Sequence, residues 1–367
     1  ASRRYHRGHH RGHHPADHPA GKHPAGNRPW GRHRTSLGVA RTSRGHSHQD
    51  AVVSPASADQ WSDSDPWTLL RLILWSSEYL EGKGLSSGRL DAEYLLAHVL
   101  GTGRLQLYMD FERPLKQEEL NQFRPLLKRR ASREPLQYIL GSQPFRELEL
   151  SVYPGVLIPR PETEQLVDEV LAWFLREEVD RPTALDVGTG SGAIALSLAA
   201  ESGAKVVATD ISSVALGLAR SNAEAAGLEA LIEFREGRIF EPIPATVRFD
   251  AIVSNPPYVR EVDELLLEPE VLDWEPREAL FSGKDGLDVI RGLVAGAFQY
   301  LRPGGLLALE VGPGQAREVA LLLEDSGHYT DVRIKRDHAT LERFVIAHVQ
   351  MGDEHARAEQ PLSKGDV

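Results

Sequence analysis

Asn255, Pro256, Pro257 and Tyr258 are the residues of this chain with the most chemical content, and they follow the apolar run Phe249-Asp250-Ala251-Ile252-Val253-Ser254. A proline holds its own φ near about −65° and drives the residue before it into an extended conformation, so Asn255 is fixed rather than left to sample rotamers. A planar group with two N–H donors, a carboxamide or an exocyclic amine, fits such a loop. Asn255 Oδ1 and the Pro256 carbonyl can each accept one hydrogen while the Tyr258 ring packs beside the flat group. The nitrogen lone pair then faces outward. Conjugation makes that nitrogen a poor nucleophile, and acceptors on both hydrogens favour the pyramidal, partly positive nitrogen of a transition state over the flat ground state. The proton leaves after the new bond has formed, so no general base of tuned pKa is required. These residues point to methylation of a planar nitrogen.

A methyl donor must sit beside that clamp, and Ala184-Leu185-Asp186-Val187-Gly188-Thr189-Gly190-Ser191-Gly192 supplies a candidate site in the pattern strand, glycine loop, helix. The loop allows close backbone approach, and the helix that follows presents its N-terminus. Asp210, at the end of the next strand, can take both hydroxyls of a ribose. A dinucleotide fingerprint would want its third glycine at Ala193; here it is Gly192. That spacing is similar to the loop of S-adenosylmethionine-dependent methyltransferases. Taken alone the glycines would also suit another nucleotide site or a plain structural turn; joined to Asn-Pro-Pro-Tyr at the end of a later strand, each motif tests the other.

Further stretches narrow the likeness: Leu90-Asp91-Ala92-Glu93-Tyr94-Leu95-Leu96, Arg133-Glu134-Pro135-Leu136-Gln137-Tyr138-Ile139-Leu140-Gly141, Leu157-Ile158-Pro159-Arg160-Pro161-Glu162-Thr163-Glu164, and Trp274-Glu275-Pro276 before Ala279-Leu280. With them the chain resembles the PrmC/HemK family, the N5-glutamine methyltransferases of peptide-chain release factors, over residues 66 to 349. The run Ile158 to Glu164 is the most specific, because DNA adenine methyltransferases share the Asn-Pro-Pro-Tyr clamp but not this segment. The resemblance implies S-adenosyl-L-methionine as cofactor and class 1 release factors as protein substrates, with Asn255, Pro256 and Tyr258 as catalytic residues. It implies Asp186, Gly188, Thr189, Gly190, Ser191, Gly192, Asp210, Arg238, Ile239 and Asn255 around the cofactor. Asn255, Pro256, Pro257 and Tyr258 would touch the substrate, with Arg160 and Glu162 as a wall nearby. Plain structural readings stand beside these. Asp186 could cap a helix, Asp210 could be a surface-loop acid, and Arg160, Glu162 and Glu164 could be the solvated start of a helix with Pro161 at its first position. One departure stands out: the family usually has Asp where this chain has Arg238, and arginine offers no acceptor to an adenine amino group. Either the backbone at Arg238 and Ile239 reads the adenine edge, or Glu236 substitutes, or donor affinity is lower.

Composition bounds the alternatives. A chain of 367 residues, 41% apolar and 26% charged, is enough for two globular domains. No apolar run is long enough to cross a bilayer. Cysteine is absent, which excludes disulfides and thiolate zinc sites and fits a reducing compartment, and no metal is expected. Residues 1–50 hold ten Lys+Arg against two acids, so the remainder carries 32 basic and 51 acidic residues, a net charge of −19. Such acidity argues against a duplex-DNA enzyme, and no direct nucleic-acid contact is expected. The competing functions are an adenine-N6 nucleic-acid methyltransferase using the same clamp, and a binding module that kept the fold without the activity.

The pattern of elements predicts an α/β architecture: a seven-stranded Rossmann-like class I S-adenosylmethionine-dependent methyltransferase domain, preceded by a small helical bundle and a β-hairpin linker. Residues 1–65, rich in His, Arg, Pro, Gly and Ser, read as disordered. Their Arg-rich, acid-poor start, which lacks an initiator Met, fits a mitochondrial or plastid transit peptide or a mis-assigned start; otherwise the protein is expected in the cytoplasm, as a monomer. Helical spacing over 66–141 predicts the substrate-recognition bundle, with breaks at Gly82-Lys83-Gly84, Gly101-Thr102-Gly103 and Pro114, and possible caps at Ser87 and Asp63 to Asp65. Alternation over 142–159 predicts the hairpin, with Tyr153-Pro154-Gly155 as its turn. The methyltransferase domain takes 160–349 and a disordered tail 350–367. Its predicted strands are Thr183 to Val187, Lys205 to Thr209, Leu231 to Arg235, Phe249 to Ser254 and Leu306 to Val311. Its predicted helices run Glu162 to Glu177, Gly192 to Glu201, Ser212 to Ala226, Leu287 to Leu301 and Gln315 to Ser326. The closing pair, Val332 to Arg336 and Arg343 to His348, is joined too briefly for a crossover helix and should form an antiparallel hairpin at one sheet edge.

Overall fold

The computed structural model describes residues 66–351. The expectations for residues 1–65 and for the tail from 352 onward lie outside the described residues. Helical spacing in the first part folds into α1 (Leu69–Glu81), α2 (Gly88–Leu100), α3 (Arg104–Met109), α4 (Gln117–Ala131) and α5 (Leu136–Leu140). Leu72, Ile73, Leu95, Leu96, Phe123 and Leu127 are buried together at its centre. The caps differ from expectation. Thr68 caps α1 by accepting from Arg71 N at 3.3 Å. Ser87 occupies the cap position of α2, but its hydroxyl donates to Asp91 Oδ2 at 2.9 Å instead of accepting a backbone N–H.

The hairpin comprises β1 (Ser142–Phe145) and β2 (Leu148–Ser151), paired so that Phe145 faces Leu148. Its turn is therefore Arg146-Glu147, not the expected Tyr153-Pro154-Gly155, which follows the second strand. Long-range contacts decide the difference. Arg146 takes φ 52°, and its guanidinium is anchored by Asp168 at 2.8 Å and by both oxygens of Glu201 at 2.6 and 2.8 Å. Glu164 Oε1 accepts from Arg146 N at 2.9 Å. These bonds hold a left-handed arginine that local propensity would not choose.

Beyond the hairpin the chain alternates: α6 (Pro161–Arg176), β3 (Thr183–Val187), α7 (Ala193–Ser202), β4 (Lys205–Asp210), α8 (Ser213–Ala226), β5 (Ile232–Glu236) and β6 (Phe249–Ser254). An excursion carrying α9 (Pro269–Leu272) and α10 (Arg277–Leu280) precedes α11 (Asp288–Gly296), β7 (Leu301–Glu310), α12 (Ala316–Asp325), β8 (Tyr329–Arg336) and β9 (Glu342–Val349). The seven strands order as β5-β4-β3-β6-β7-β9-β8, parallel except for β9, which runs antiparallel to both β7 and β8. The last two strands thus form the expected antiparallel pair at one edge. One helix is shorter than its apolar pattern: α11 stops at Gly296, where an added Cβ would come within 2.7 Å of the Phe240 ring, and Leu301 instead opens β7 by pairing with Phe249.

Strands buried on both faces explain the nearly continuous apolar runs. Ala184, Ala251, Val253 and Ala308 pack with Leu166, Val170, Ile194 and Leu198 on one side. Leu185, Ile252, Leu307 and Leu309 pack with Ile290, Leu293, Val319 and Leu323 on the other. Because the chain winds outward from β3 to β5 and then returns to β6 on the other side of β3, a crevice opens beyond the carboxyl ends of β3 and β6. Ser254 Oγ donates to Val187 O at 2.7 Å and ties the two strand ends at that point. The helical bundle meets the excursion that follows β6. Buried Arg130 donates to Asp91 Oδ2 at 2.7 Å and to Glu270 Oε1 of the excursion at 3.1 Å.

Candidate active site

A cavity of about 410 Å³ occupies the crevice. Gly188, Thr189, Gly190, Ser191 and Asp210 line it at the ends of β3 and β4, Arg238 and Ile239 follow beyond β5, and Asn255, Pro256 and Pro257 lie at the end of β6. The first group is shaped by backbone bonds. Gly188 N and Thr189 N both donate to Thr209 O at 2.8 and 2.9 Å, turning the loop back over β4. Asp210 braces the arrangement, since Oδ2 accepts from Gly190 N and Oδ1 from Ser212 N, each at 2.9 Å. Each oxygen keeps a lone pair for a further donor, so the carboxylate can still take a diol. Burial raises its pKa.

Asp186 and Gly192 fall outside the lining and support it from behind. Asp186 is fully buried; its Oδ2 accepts from Thr189 Oγ1 at 2.6 Å and from Ala195 N at 3.2 Å, joining the loop to the first turn of α7. Burial pushes its pKa up to about 7, and its Oδ1 has no hydrogen-bond partner. Gly192 has φ 88°, and a Cβ there would stand 2.5 Å from Leu196 Cδ1 and 3.2 Å from Ala219 Cβ, so this glycine lets α7 and α8 close on each other. Asn222 of α8 adds a tie to the hairpin. Its Nδ2 donates to Ser191 O at 2.9 Å, and its Oδ1 accepts from Ser151 N at 2.9 Å.

Arg238 is exposed, and the chain there is held through its backbone: Gly237 N donates to Asp210 O at 3.0 Å and Glu241 N to Arg238 O at 2.9 Å. Ile239 sits at φ 48°, a conformation that costs a β-branched residue on the order of 1–3 kcal/mol. Its side chain presses on Gly292 of α11, where a Cβ would lie 2.6 Å from Ile239 Cδ1. Together with Phe281 and Val289 it gives the cavity an apolar wall. An apolar wall and an acid able to hold a diol form a lining that fits S-adenosylmethionine, with an unsatisfied buried acceptor, Asp186 Oδ1, behind the glycine loop.

The Asn-Pro-Pro-Tyr loop is shaped by side chains from distant elements. Sheet register pairs Ser254 with Leu309, so Asn255 comes level with Glu310. Asn255 Nδ2 donates to Thr163 Oγ1 at 3.0 Å, and Thr163 Oγ1 donates to Glu310 Oε2 at 2.7 Å. Tyr258 OH donates to the other oxygen of Glu310 at 3.4 Å. Glu310 is buried, and burial raises its pKa to about 7; burial likewise pushes Tyr258 up to about 12. Gln315 clamps the far end of the loop, donating from Nε2 to Tyr258 O at 3.0 Å and accepting from Gly312 N at 2.8 Å.

Tyr258 itself lies outside the cavity lining and packs into the core beneath. Arg160 and Glu162 are likewise outside it. Arg160 Nη2 donates to both oxygens of buried Glu275 at 2.8 and 2.6 Å, just before α10; Ala279 of that helix and the flanking Pro276 and Phe281 form a cavity wall. Glu162 bears on Tyr258 and Glu310 through its charge.

Besides Asn222, Phe281 and Val289 at the donor end, three residues behind the Asn-Pro-Pro-Tyr loop escaped the sequence reading: Thr163, Glu310 and Gln315. Two of them leave a signal. Thr163 falls on the buried stripe of α6 with Leu166, Val167 and Val170, and Glu310 is an acid closing the apolar run Leu306 to Leu309.

Among the described residues no group of His, Asp or Glu is arranged to hold a metal ion, and no helix is long and apolar enough to cross a membrane. Comparison with known families matches residues 71–141 to the PrmC N-terminal domain and residues 167–269 to the methyltransferase small domain. A release factor glutamine methyltransferase of Geobacter sulfurreducens is 45% identical over 280 residues, covering 76% of this chain and 96% of that protein. The enzyme of the same name from Chlorobaculum tepidum is 40% identical over 284 residues, covering 76% and 96%. A solved structure described as protein-(glutamine-N5) methyltransferase (release factor-specific), from Alicyclobacillus acidocaldarius, is 32% identical and covers 55% of this chain and 99% of that one, with a TM-score of 0.34.

Proposed function

The chain belongs to the release factor glutamine methyltransferase family, and from that premise we propose that it methylates the side-chain amide N5 of the glutamine in the Gly-Gly-Gln loop of class 1 release factors. Bound S-adenosylmethionine supplies an electrophilic methyl on a sulfonium centre. Asp210 would hold the ribose diol, the loop Gly188 to Ser191 would receive the donor against backbone, and the Ile239, Phe281 and Val289 side chains would flank the adenine. Asn255 Oδ1 and the Pro256 carbonyl would accept the two amide hydrogens of the substrate glutamine and so turn its nitrogen toward the donor's methyl group. Pro257 lines the cavity beside them. The nitrogen gains positive charge as the bond forms, and the two acceptors stabilise that charge without reorganising.

The observation that carries this reading is the bond from Asn255 Nδ2 to Thr163, which leaves Oδ1 as the acceptor at the cavity. Residues 66–141 would serve as the substrate-recognition domain, gripping the release factor through their exposed face, with 142–159 as linker and 160–349 as the catalytic body. The reading places the reaction in the cytoplasm. Incubation with labelled donor and either a release factor or DNA tests it, with mass spectrometry of the Gly-Gly-Gln peptide as the readout. The expected result is methyl on that glutamine and none on DNA; transfer to DNA alone, or to neither, overturns it.

A further inference from the structure

We infer that Glu310, acting through the Thr163 hydroxyl, decides which end of the Asn255 carboxamide faces the substrate, and that both are positioning residues for the transfer. The inference rests on the role proposed above for Asn255. A carboxamide has nearly the same shape either way round, so packing alone does not choose between its oxygen and its nitrogen. The partner chooses. A threonine hydroxyl has one proton, and Thr163 spends it on Glu310 Oε2 at 2.7 Å. What Thr163 then turns toward Asn255 is a lone pair, which only Nδ2 can meet, at 3.0 Å. Oδ1 is thereby committed to the cavity. With the carboxamide reversed, Nδ2–H would oppose the N–H of the substrate amide, and the acceptor on which the transfer relies would be gone.

The relay crosses three elements, from the end of β7 through the first turn of α6 to the end of β6. A buried carboxylate is an expensive way to satisfy two hydroxyls, those of Thr163 and Tyr258, since an apolar residue of similar size would be easier to bury. Its acceptor-only character distinguishes it from every neutral substitute. That character depends on pH. The groups bearing on Glu310 are Arg343 of β9, Glu162 and Thr163 of α6, and Tyr258 of the loop; burial, aided by the Glu162 charge, outweighs Thr163, Arg343 and Tyr258 and raises its pKa to about 7. Below that value the protonated acid donates to Thr163 Oγ1, the threonine hydrogen becomes available to Asn255 Oδ1, and the carboxamide turns round. Turnover at saturating donor therefore declines as pH falls through about 7. Asp186 titrates in the same range, so the assay must separate the two.

The test measures methylation of a release factor by the full chain across about pH 6 to 9, together with donor affinity, for wild type, N255A, T163V, T163S and E310Q. We expect T163V to lose about 10-fold or more in kcat with donor affinity held, and T163S to recover most of the loss. At saturating donor, where a change at Asp186 behind the donor loop is read as donor affinity and not as kcat, E310Q should show a kcat profile flat through neutrality, because glutamine does not titrate. Wild-type turnover in T163V, or an unshifted inflection in E310Q, overturns the relay even if N255A is inactive. Full activity in N255A overturns the reading of the clamp itself, and the relay with it.

Discussion

The two ends of the cavity are made by different means. At the donor end the shape comes from two short stretches, 186–192 and 209–212, whose backbone groups bond to one another and to Asp210. At the acceptor end the orientation of a single side chain depends on residues 92 and 55 positions away, Thr163 and Glu310. A wall built of backbone tolerates side-chain exchange, and Arg238, held through its backbone, stands at such a position. A clamp built of a side-chain relay has no such tolerance, since each member satisfies the next and the loss of one leaves a buried polar group unpaired.

Four substitutions probe that contrast, beginning with the largest effect. Asn255→Ala removes the acceptor itself and should lower kcat by about 100-fold or more with donor binding largely kept; single-turnover methylation of a release factor measures it. Asp210→Ala acts at the other end and should raise the donor Kd roughly 10- to 100-fold, the loss of charged hydrogen bonds being about 1.5–3 kcal/mol. Isothermal titration with the donor reads this directly, and a change below threefold would sink the diol role. Gly192→Ala touches neither ligand: with a Cβ 2.5 Å from Leu196 Cδ1, it should destabilise the fold by about 1–3 kcal/mol, seen as a lower urea midpoint at unchanged slope. Arg238→Asp should have the smallest effect, tightening donor binding by about threefold as an acceptor is restored. If affinity stays put, the backbone at Arg238 and Ile239 already supplies what the donor needs.

Much of the donor end was legible because its determinants are local. The strand run Thr183 to Val187, the glycine spacing and Asp210 twenty-four residues after Asp186 all lie within one βαβ unit, where short-range rules apply. The central strands were equally plain, as burial on both faces leaves continuous apolar runs. The hairpin turn was misplaced because Arg146 is held in its left-handed conformation by Asp168 and Glu201, partners that no local turn rule contains. Gly192 read as part of a cofactor loop, yet the position is set by helix packing against Leu196 and Ala219. Tyr258 read as a surface for the substrate, and its hydroxyl turns instead to Glu310.

The order of elements, the glycine turn, the proline-stiffened loop and the acid that ends β4 were determined by the amino-acid sequence alone, because each follows from dihedral limits and apolar spacing within a few neighbouring residues. Tertiary structure alone decided that Thr163 and Glu310 stand behind Asn255, that Arg160 braces Glu275, and that Asp186 is buried rather than exposed to the cavity. Those outcomes depend on strand register and on how α6 crosses the sheet. The direction of a hydrogen bond between two side chains is settled by whatever third group competes for the proton, and no sequence window contains all three.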